Sequence, residues 1–137
     1  MNLNEYKYSD VTGRIIGCAM KVHNNLGNGF QEVIYQRALS IELEAAGLKF
    51  AREDEMPISY NGEEIGTRRV DFFVENKILV EIKAVIKIEG AHIAQAINYI
   101  EAFDKEIGLL INFGATSLEF KRLINKKNYL PNAVANH

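Results

Sequence analysis

The sequence predicts an α/β domain in which a mixed β-sheet is flanked by helices, with the element order ααβββαββ. Three observations predict it: apolar residues first recur at helical spacing, the period then changes to two, and a helical pattern returns before a short apolar run. A chain of 137 residues, 47% of them hydrophobic, fits one domain with a single core. We expect residues 1–125 to form this domain and residues 126–137 to be a weakly ordered tail.

The first part of the chain is predicted to fold as a hairpin of two helices. Helix one begins at an N-cap, Ser9 or Asp10, and ends at Gly27, because glycine readily takes the left-handed conformation of a C-cap. Helix two begins at about Gln31 and ends before Gly47 for the same reason.

A meander of three strands is predicted next. After Gly47 the alternation of apolar and polar residues has a period of two, and Asn61-Gly62 is a strong signal for a two-residue hairpin turn. Glu75-Asn76 is predicted to form a second tight turn. The predicted strand segments are 48–50 with 56–60, 63–74 and 77–85.

A third helix and two more strands are predicted to complete the domain. The helix fits the pattern from Ile88 to about Lys105, and the apolar run 107–113 has the length and composition of a buried strand. This strand is expected to lie parallel to the strand that carries Glu81. A last short strand is predicted over 118–124.

Charge and composition exclude several classes of protein. The 16 basic and 18 acidic residues give a net charge of -2, so any contact with nucleic acid must be local. Local basic clusters such as Arg68-Arg69 are most simply interpreted as solvated surface. The chain starts without the pattern of a secretory signal and has no run of about 18 apolar residues, so we expect a cytoplasmic protein and no membrane partner. The one cysteine, Cys18, is expected to be a buried structural thiol.

One predicted strand carries two opposite charges within an apolar sequence. Glu81 and Lys83 are two residues apart and share one face of the strand. An ionised group there costs several kcal/mol unless it is paired or binds a metal. The tight turn before this strand returns the chain so that Asp71 lies across from Glu81. Two carboxylates and a lysine predict a Mg²⁺ or Mn²⁺ site, at which the lysine activates water or stabilises charge on a phosphate.

An ion pair on a half-exposed sheet face is the alternative interpretation of these three residues, but two helices favour the metal site. In the third helix, His92, Gln95 and Tyr99 share a face beside the apolar stripe, and His92 could contact a phosphate. In helix two, Glu32 lies in an apolar sector, which fits either an extra metal ligand or a favourable interaction with the helix dipole. His23 is expected to be a hydrogen-bonded packing residue.

A motif at the start of helix two resembles the signature of a known family. The chain spells Gly-x-x-Glu-x-x-Tyr, with Gly29, Glu32 and Tyr35 at the named positions. The segment resembles the signature of the GxxExxY protein family, which is grouped with the PD-(D/E)xK nuclease-like superfamily. The resemblance covers about residues 15–124, and the motif is preceded in the family's order by Val22-His23 and Leu26-Gly27.

The resemblance implies a restriction-endonuclease-like fold and a set of site residues. The central motif of the superfamily maps to Asp71 and then to Glu81-Ile82-Lys83, with Val70 in place of the name-giving proline. It implies a metal held by both carboxylates and the backbone carbonyl of Ile82, with Lys83 as the catalytic residue. Glu32 is implied as an optional further ligand. Two residues of the third helix, similar to the Gln-x-x-x-Tyr of RecB-like and lambda-exonuclease-like nucleases, are implied to position the substrate phosphate: Gln95 and Tyr99.

The function that the resemblance implies is metal-dependent cleavage of DNA or RNA with Mg²⁺ or Mn²⁺. Nucleic acid would then be the partner. The alternative is a non-catalytic binding or assembly module that keeps the nuclease fold and holds a partner, including a second copy of itself in a homo-oligomer.

Overall fold

The computed structural model describes residues 7–129 and has the predicted α/β architecture. The elements follow the order ααβββαββ, with one short helix added at the end. That helix lies in the predicted tail, and the rest of the tail, 130–137, is outside the described residues. The bounds are α1 Ser9–Leu26, α2 Glu32–Ala45, β1 Phe50–Tyr60, β2 Glu63–Val74, β3 Ile78–Lys83, α3 Gly90–Ala102, β4 Ile107–Asn112, β5 Glu119–Ile124 and α4 Lys126–Tyr129.

The five strands form one mixed sheet in the order β1-β2-β3-β4-β5. As predicted, β3 and β4 are parallel, and α3 provides the crossover that a parallel pair needs. The other neighbouring strands are antiparallel. β3 and β4 are almost entirely buried between layers of helices, and both are mainly apolar, apart from Glu81 and Lys83 in β3 and Asn112 in β4.

Two hydrophobic cores lie on opposite faces of this sheet. Alternate side chains of β3 point in opposite directions, so Val80 and Ile82 join the core under α1 and α2, whereas Leu79 joins the core under α3. In the first of these cores, the rings of Tyr35 and Phe113 stack with their centroids 4.7 Å apart. Within residues 7–129, no helix is both long and apolar enough to cross a membrane.

The start of α1 differs from the prediction. The N-cap residue is Tyr8 rather than Ser9 or Asp10, and its side chain makes no capping hydrogen bond. Instead, the hydroxyl of Thr12 donates to the carbonyls of Tyr8 and Ser9. The predicted caps are wrong because both residues already lie inside the first turn of the helix. At the other end, Gly27 has a positive φ of 74°, but its ψ of -159° lies outside the left-handed helical conformation that was predicted for it.

The first strand is continuous where the sequence predicted two segments. The charged side chains from Arg52 to Glu55 are exposed. Because this part of the strand is exposed on both faces, its sequence lacks the alternation of apolar and polar residues from which a strand is predicted. This part of β1 also contains Glu53, whose φ of 54° interrupts regular pairing.

The third helix is shorter than the predicted range of 88–105. It begins at Gly90 because the N-cap residue, Glu89, has an extended backbone, and the N–H of Glu89 donates to His92 Nδ1 at 2.9 Å. The N–H of Ile88, before the cap, donates to the side chain of Glu119 in β5 at 3.0 Å. It ends before Asp104, which has a left-handed φ of 53°.

The sheet divides at Asp71. From Phe72 to Val74, β2 pairs with both β1 and β3, but towards its N-terminal end it pairs with β1 alone. The hairpin of β1 and β2 therefore extends beyond the sheet. Both predicted turns, Asn61-Gly62 and Glu75-Asn76, have the positive φ angles expected for tight hairpin turns.

Candidate functional site

Asp71 and Glu81 exchange hydrogen bonds across the point where the sheet divides. The backbone N–H of Asp71 donates to Glu81 Oε2 at 3.0 Å, and the backbone N–H of Ile82 donates to Asp71 Oδ2 at 2.8 Å. These bonds continue a backbone ladder whose last pair is Phe72 with Val80. The predicted convergence of two carboxylates is present, and each carboxylate also satisfies a backbone donor of the opposite strand.

Glu81 is the most deeply buried charged group of the site, with 2% of its surface exposed. Burial, followed by the charge of Asp71, raises the pKa of Glu81 from 4.5 to about 8, although the guanidinium of Arg68 acts in the opposite direction. The ion pair with Arg68, at 3.3 Å, favours an ionised Glu81. Burial and Asp71 outweigh this pairing because Arg68 is partly solvated.

Arg68 lies inside the site, although the sequence suggested solvated surface. Its Nη2 donates to Glu81 Oε1 at 3.3 Å, its Nε to the hydroxyl of Tyr99 at 2.6 Å, and its Nη1 to the carbonyl of Arg69 at 2.7 Å. In the sequence nothing distinguishes Arg68 from Arg69. Which of these two arginines reaches α3 depends on where β2 separates from β3.

Lys83 and Gln95 are brought together as the strand and helix patterns predicted. Lys83 Nζ donates to Gln95 Oε1 at 3.2 Å. Glu81, Lys83 and the α3 residues Gln95 and Tyr99 therefore line one side of the site. The side-chain oxygen of Gln95 accepts from Lys83, and the hydroxyl of Tyr99 accepts from Arg68.

Gln36 of α2 completes the surroundings of Asp71 and was not singled out from the sequence. Its Nε2 donates to Asp71 Oδ1 at 2.8 Å, and the residue is 7% exposed. Its Oε1 is buried, and no donor within residues 7–129 reaches it. A signal for Gln36 was present, since it follows Glu32 by four residues and shares its face of the helix.

Glu32, the first residue of α2, lies close to the site without joining the carboxylate pair. The residue as a whole is exposed, but burial of its carboxyl group raises its pKa; Lys83 lowers this pKa and Asp71 raises it. No three side chains of the types His, Cys, Asp and Glu lie close enough to share a metal ion within the described part of the chain. In this structure Glu32 therefore stands apart from Asp71 and Glu81.

The two histidines have separate structural contacts. His23 is buried, and its Nε2 lies 2.9 Å from the carbonyl of Ala115, which confirms the predicted packing role. His92 Nδ1 accepts the backbone N–H of Glu89 at 2.9 Å and so helps to cap α3. Contact of His92 with a phosphate stays a prediction.

The tyrosine of the Gly-x-x-Glu-x-x-Tyr motif fixes the loop that leads into Glu32. Tyr35 is fully buried; its hydroxyl donates to the carbonyl of Gly27 at 2.6 Å and accepts the backbone N–H of Phe30 at 3.1 Å. These bonds set where α2 begins and hence where Glu32 is placed. A Cβ added to Gly29 would meet no atom within 4 Å, so packing does not explain this glycine.

A buried asparagine fixes the loop that follows Lys83. Asn112 Oδ1 accepts the N–H groups of Val85 and Gly114, and its Nδ2 donates to the Val85 carbonyl and to Glu119. A Cβ on Gly114 would lie 2.4 Å from the Val85 carbonyl, so this approach requires glycine. For this reason β3 ends at Lys83 and not at the predicted Val85.

Comparison with known proteins identifies the family. The model of the PD-(D/E)XK nuclease superfamily matches residues 9–123. The chain belongs to this superfamily. A solved structure described as "Crystal structure of SSO0001" is similar in fold, with 21% sequence identity and a TM-score of 0.53. The match covers 66% of this chain and 48% of that one, so the chain spans about half of its length. No curated protein matches the sequence. The predicted superfamily is confirmed, and membership of its GxxExxY group stays a prediction.

PD-(D/E)XK nucleases typically use divalent metals, and the donor atoms at the division of the sheet fit such an ion. The carboxylates of Asp71 and Glu81 each keep acceptor capacity beyond their present bonds. The Lys83 carbonyl accepts from Phe113 on the β4 side, so the carbonyl of Ile82, one residue earlier, points towards β2. Oxygen donors of these types suit Mg²⁺ or Mn²⁺, and the donorless Oε1 of Gln36 is a further oxygen beside them.

Proposed function

We propose that the protein hydrolyses phosphodiester bonds of DNA or RNA with the help of Mg²⁺ or Mn²⁺. The observation that carries this proposal is the hydrogen-bonded pair of half-buried Asp71 and buried Glu81, with Lys83 on the same face of β3 as Glu81. Two carboxylates at close range in a buried place are costly unless a cation compensates them. Superfamily membership supports the proposal at the level of the fold, whereas the chemistry rests on these side chains.

In this proposal Asp71, Glu81 and the carbonyl of Ile82 would hold the metal, and Glu32, which stands apart from the pair in this structure, would have to move towards the metal to serve as a further ligand. When bound, a divalent cation lowers the pKa of water and stabilises negative charge on the phosphate. Gln36 fixes the orientation of Asp71 through its 2.8 Å hydrogen bond. Tyr35 fixes the position of Glu32 through the loop that precedes it.

Lys83 supplies the positive charge next to the carboxylate pair. Its hydrogen bond to Gln95 holds Nζ in place, so the ammonium group can orient the attacking water or stabilise charge that develops on the phosphate. Because Gln95 accepts from Lys83 through Oε1, its amide NH₂ group is available to donate to a phosphate oxygen. Tyr99 lies one helical turn further along α3 and is proposed to position the same phosphate.

Nucleic acid is the proposed partner, recognised by contacts at the site rather than by a broad basic surface. The net charge of -2 leaves no general attraction for a polyanion. Arg68 pairs with Glu81 and the charge of Lys83 acts on Glu32, so phosphate recognition is expected to centre on these two cations. Assembly into a homo-oligomer stays a prediction.

Cleavage of labelled single-stranded and double-stranded DNA and RNA, with Mg²⁺ or Mn²⁺ and with a chelator, tests the proposal. We expect metal-dependent cleavage by the wild-type protein. In Lys83→Ala the rate should fall by at least about 100-fold, because a positioned catalytic group typically contributes that much.

Lys87→Ala is the matched control, since Lys87 is an exposed lysine four residues further along the chain. It removes the same side chain and passes through the same purification, so it should retain wild-type activity. Equal residual cleavage in Lys83→Ala and Lys87→Ala would indicate a contaminating nuclease and would contradict the proposal.

One observation favours the alternative of a non-catalytic module. Each carboxylate oxygen of Asp71 and Glu81 already accepts a hydrogen bond from the protein, so the pair also serves to join the strands. Calorimetric titration with Mn²⁺ separates the two functions. Binding that is lost in Asp71→Asn favours the nuclease, whereas a folded wild-type protein that binds no Mn²⁺ favours the module.

A further inference from the structure

Arg68 contacts the same carboxylate, that of Glu81, to which a divalent cation would bind. Its Nη2 lies 3.3 Å from Glu81 Oε1, and the two side chains are 36% and 3% exposed, respectively. Glu81 is thus enclosed, whereas the guanidinium that compensates it reaches solvent. Solvent is therefore available on the outer side of the Arg68 guanidinium, whereas Glu81 is enclosed by the protein.

The other contacts of Arg68 do not depend on Glu81. Its Nε donates to the Tyr99 hydroxyl at 2.6 Å, and its Nη1 donates to the Arg69 carbonyl at 2.7 Å. Its guanidinium carbon also lies 4.8 Å from the centroid of the Tyr99 ring, within the range of a cation–π contact. The bond to Glu81 is the longest of the three hydrogen bonds. Its loss would leave Arg68 anchored at the edge of the site.

We propose that Arg68 is an exchangeable counter-cation, which pairs with Glu81 in the metal-free protein and yields that carboxylate when a divalent cation binds. This inference rests on the proposed function, because it takes Asp71 and Glu81 to be metal ligands. Since the guanidinium and the metal compete for one oxygen, each weakens the binding of the other. The displaced guanidinium stays beside Tyr99, where its planar array of donors suits a phosphate.

Titration calorimetry with MnCl₂ on the metal-free full-length protein tests this inference. Arg68→Ala removes the competing charge, and Arg69→Ala is the matched control, because it removes an equal charge from the adjacent, exposed residue. We expect the Kd for Mn²⁺ to be about tenfold lower in Arg68→Ala than in Arg69→Ala, the effect of a modest competing ion pair. Arg68→Lys keeps the charge and should bind Mn²⁺ nearly as the wild type does.

Tighter Mn²⁺ binding is a result that damage to the fold would not produce. Equal Kd values for the two alanine variants, weaker binding by Arg68→Ala, or no Mn²⁺ binding by any variant would overturn the inference. Cleavage assays on the same proteins keep it separate from the proposed function. A wild-type protein that cleaves, together with equal Kd values, refutes the inference alone. A wild-type protein that does not cleave, together with tighter binding by Arg68→Ala, refutes nuclease activity alone.

Discussion

Replacing Glu81 with glutamine should change how the stability of the metal-free protein depends on pH. Burial and the neighbouring Asp71 raise the pKa of Glu81 from 4.5 to about 8 in the folded state. Below pH 4.5, Glu81 is protonated in both the folded and the unfolded chain, so it does not make the free energy of unfolding depend on pH. Between the two values, only the unfolded chain has lost the proton, and the free energy of unfolding therefore falls as the pH rises.

The size of the effect follows from the same two pKa values. Each pH unit within the window changes the free energy of unfolding by about 1.4 kcal/mol, or about 5 kcal/mol over the whole window. Glu81→Gln has no proton to lose. The free energy of unfolding of Glu81→Gln, relative to that of the wild type, should therefore increase by up to about 5 kcal/mol as the pH rises from about 4 to about 9.

Urea unfolding with a chelator present, followed by circular dichroism across this pH range, measures the difference. Glu64→Gln is the control, because it makes the same chemical change at an exposed position of β2. Parallel pH profiles of the wild type and Glu81→Gln would refute the reasoning. They would mean that Glu81 is ionised in the folded protein throughout the range, as full compensation by Arg68 would require.

Two further predictions concern the residues that hold the loops around the site. Asn112→Ala should lower the free energy of unfolding by about 3 kcal/mol, because it removes a fully buried side chain and leaves half-buried backbone groups of Val85 and Gly114 without partners. Urea unfolding measures this loss, amide hydrogen exchange should speed up in the loop after β3, and unchanged exchange there would contradict the role given to Asn112. Tyr35→Phe should cost about 1–3 kcal/mol, since the hydroxyl bonds to Gly27 and Phe30 are lost while the ring stays in place. A loss near zero in urea unfolding would show that the Tyr35 hydroxyl does not hold this loop.

Most elements of the fold could be predicted from local sequence, and the errors have local causes. The tight turns at Asn61-Gly62 and Glu75-Asn76 depend on residues that tolerate positive φ, so their positions were readable. The middle of β1 could not be predicted from the sequence, because charged residues lie on both faces of this exposed part of the strand. The start of α3 could not be placed either, since its capping side chain, His92, was interpreted only as a candidate phosphate contact.

The candidate site was predictable where its residues share one element. The two-residue spacing of Glu81 and Lys83 placed both on one face of β3, and the spacing of Gln95 and Tyr99 placed both on one face of α3. The structure confirms this arrangement through the bond between Lys83 and Gln95. Arg68 was missed because its role depends on where β2 leaves the sheet, which no spacing rule encodes.

By itself, the sequence determined the order of elements, the face of each strand and helix, and the residues able to bind a cation, because these follow from periodicity and side-chain chemistry. The tertiary structure decided which of these groups meet. The division of the sheet at Asp71 makes the carboxylates of Asp71 and Glu81 replace backbone partners. It also brings Arg68 to Glu81, and α2 brings Gln36 to Asp71. Contacts between residues distant in the chain depend on how whole elements pack, and that packing sets the burial that raises the pKa of Glu81.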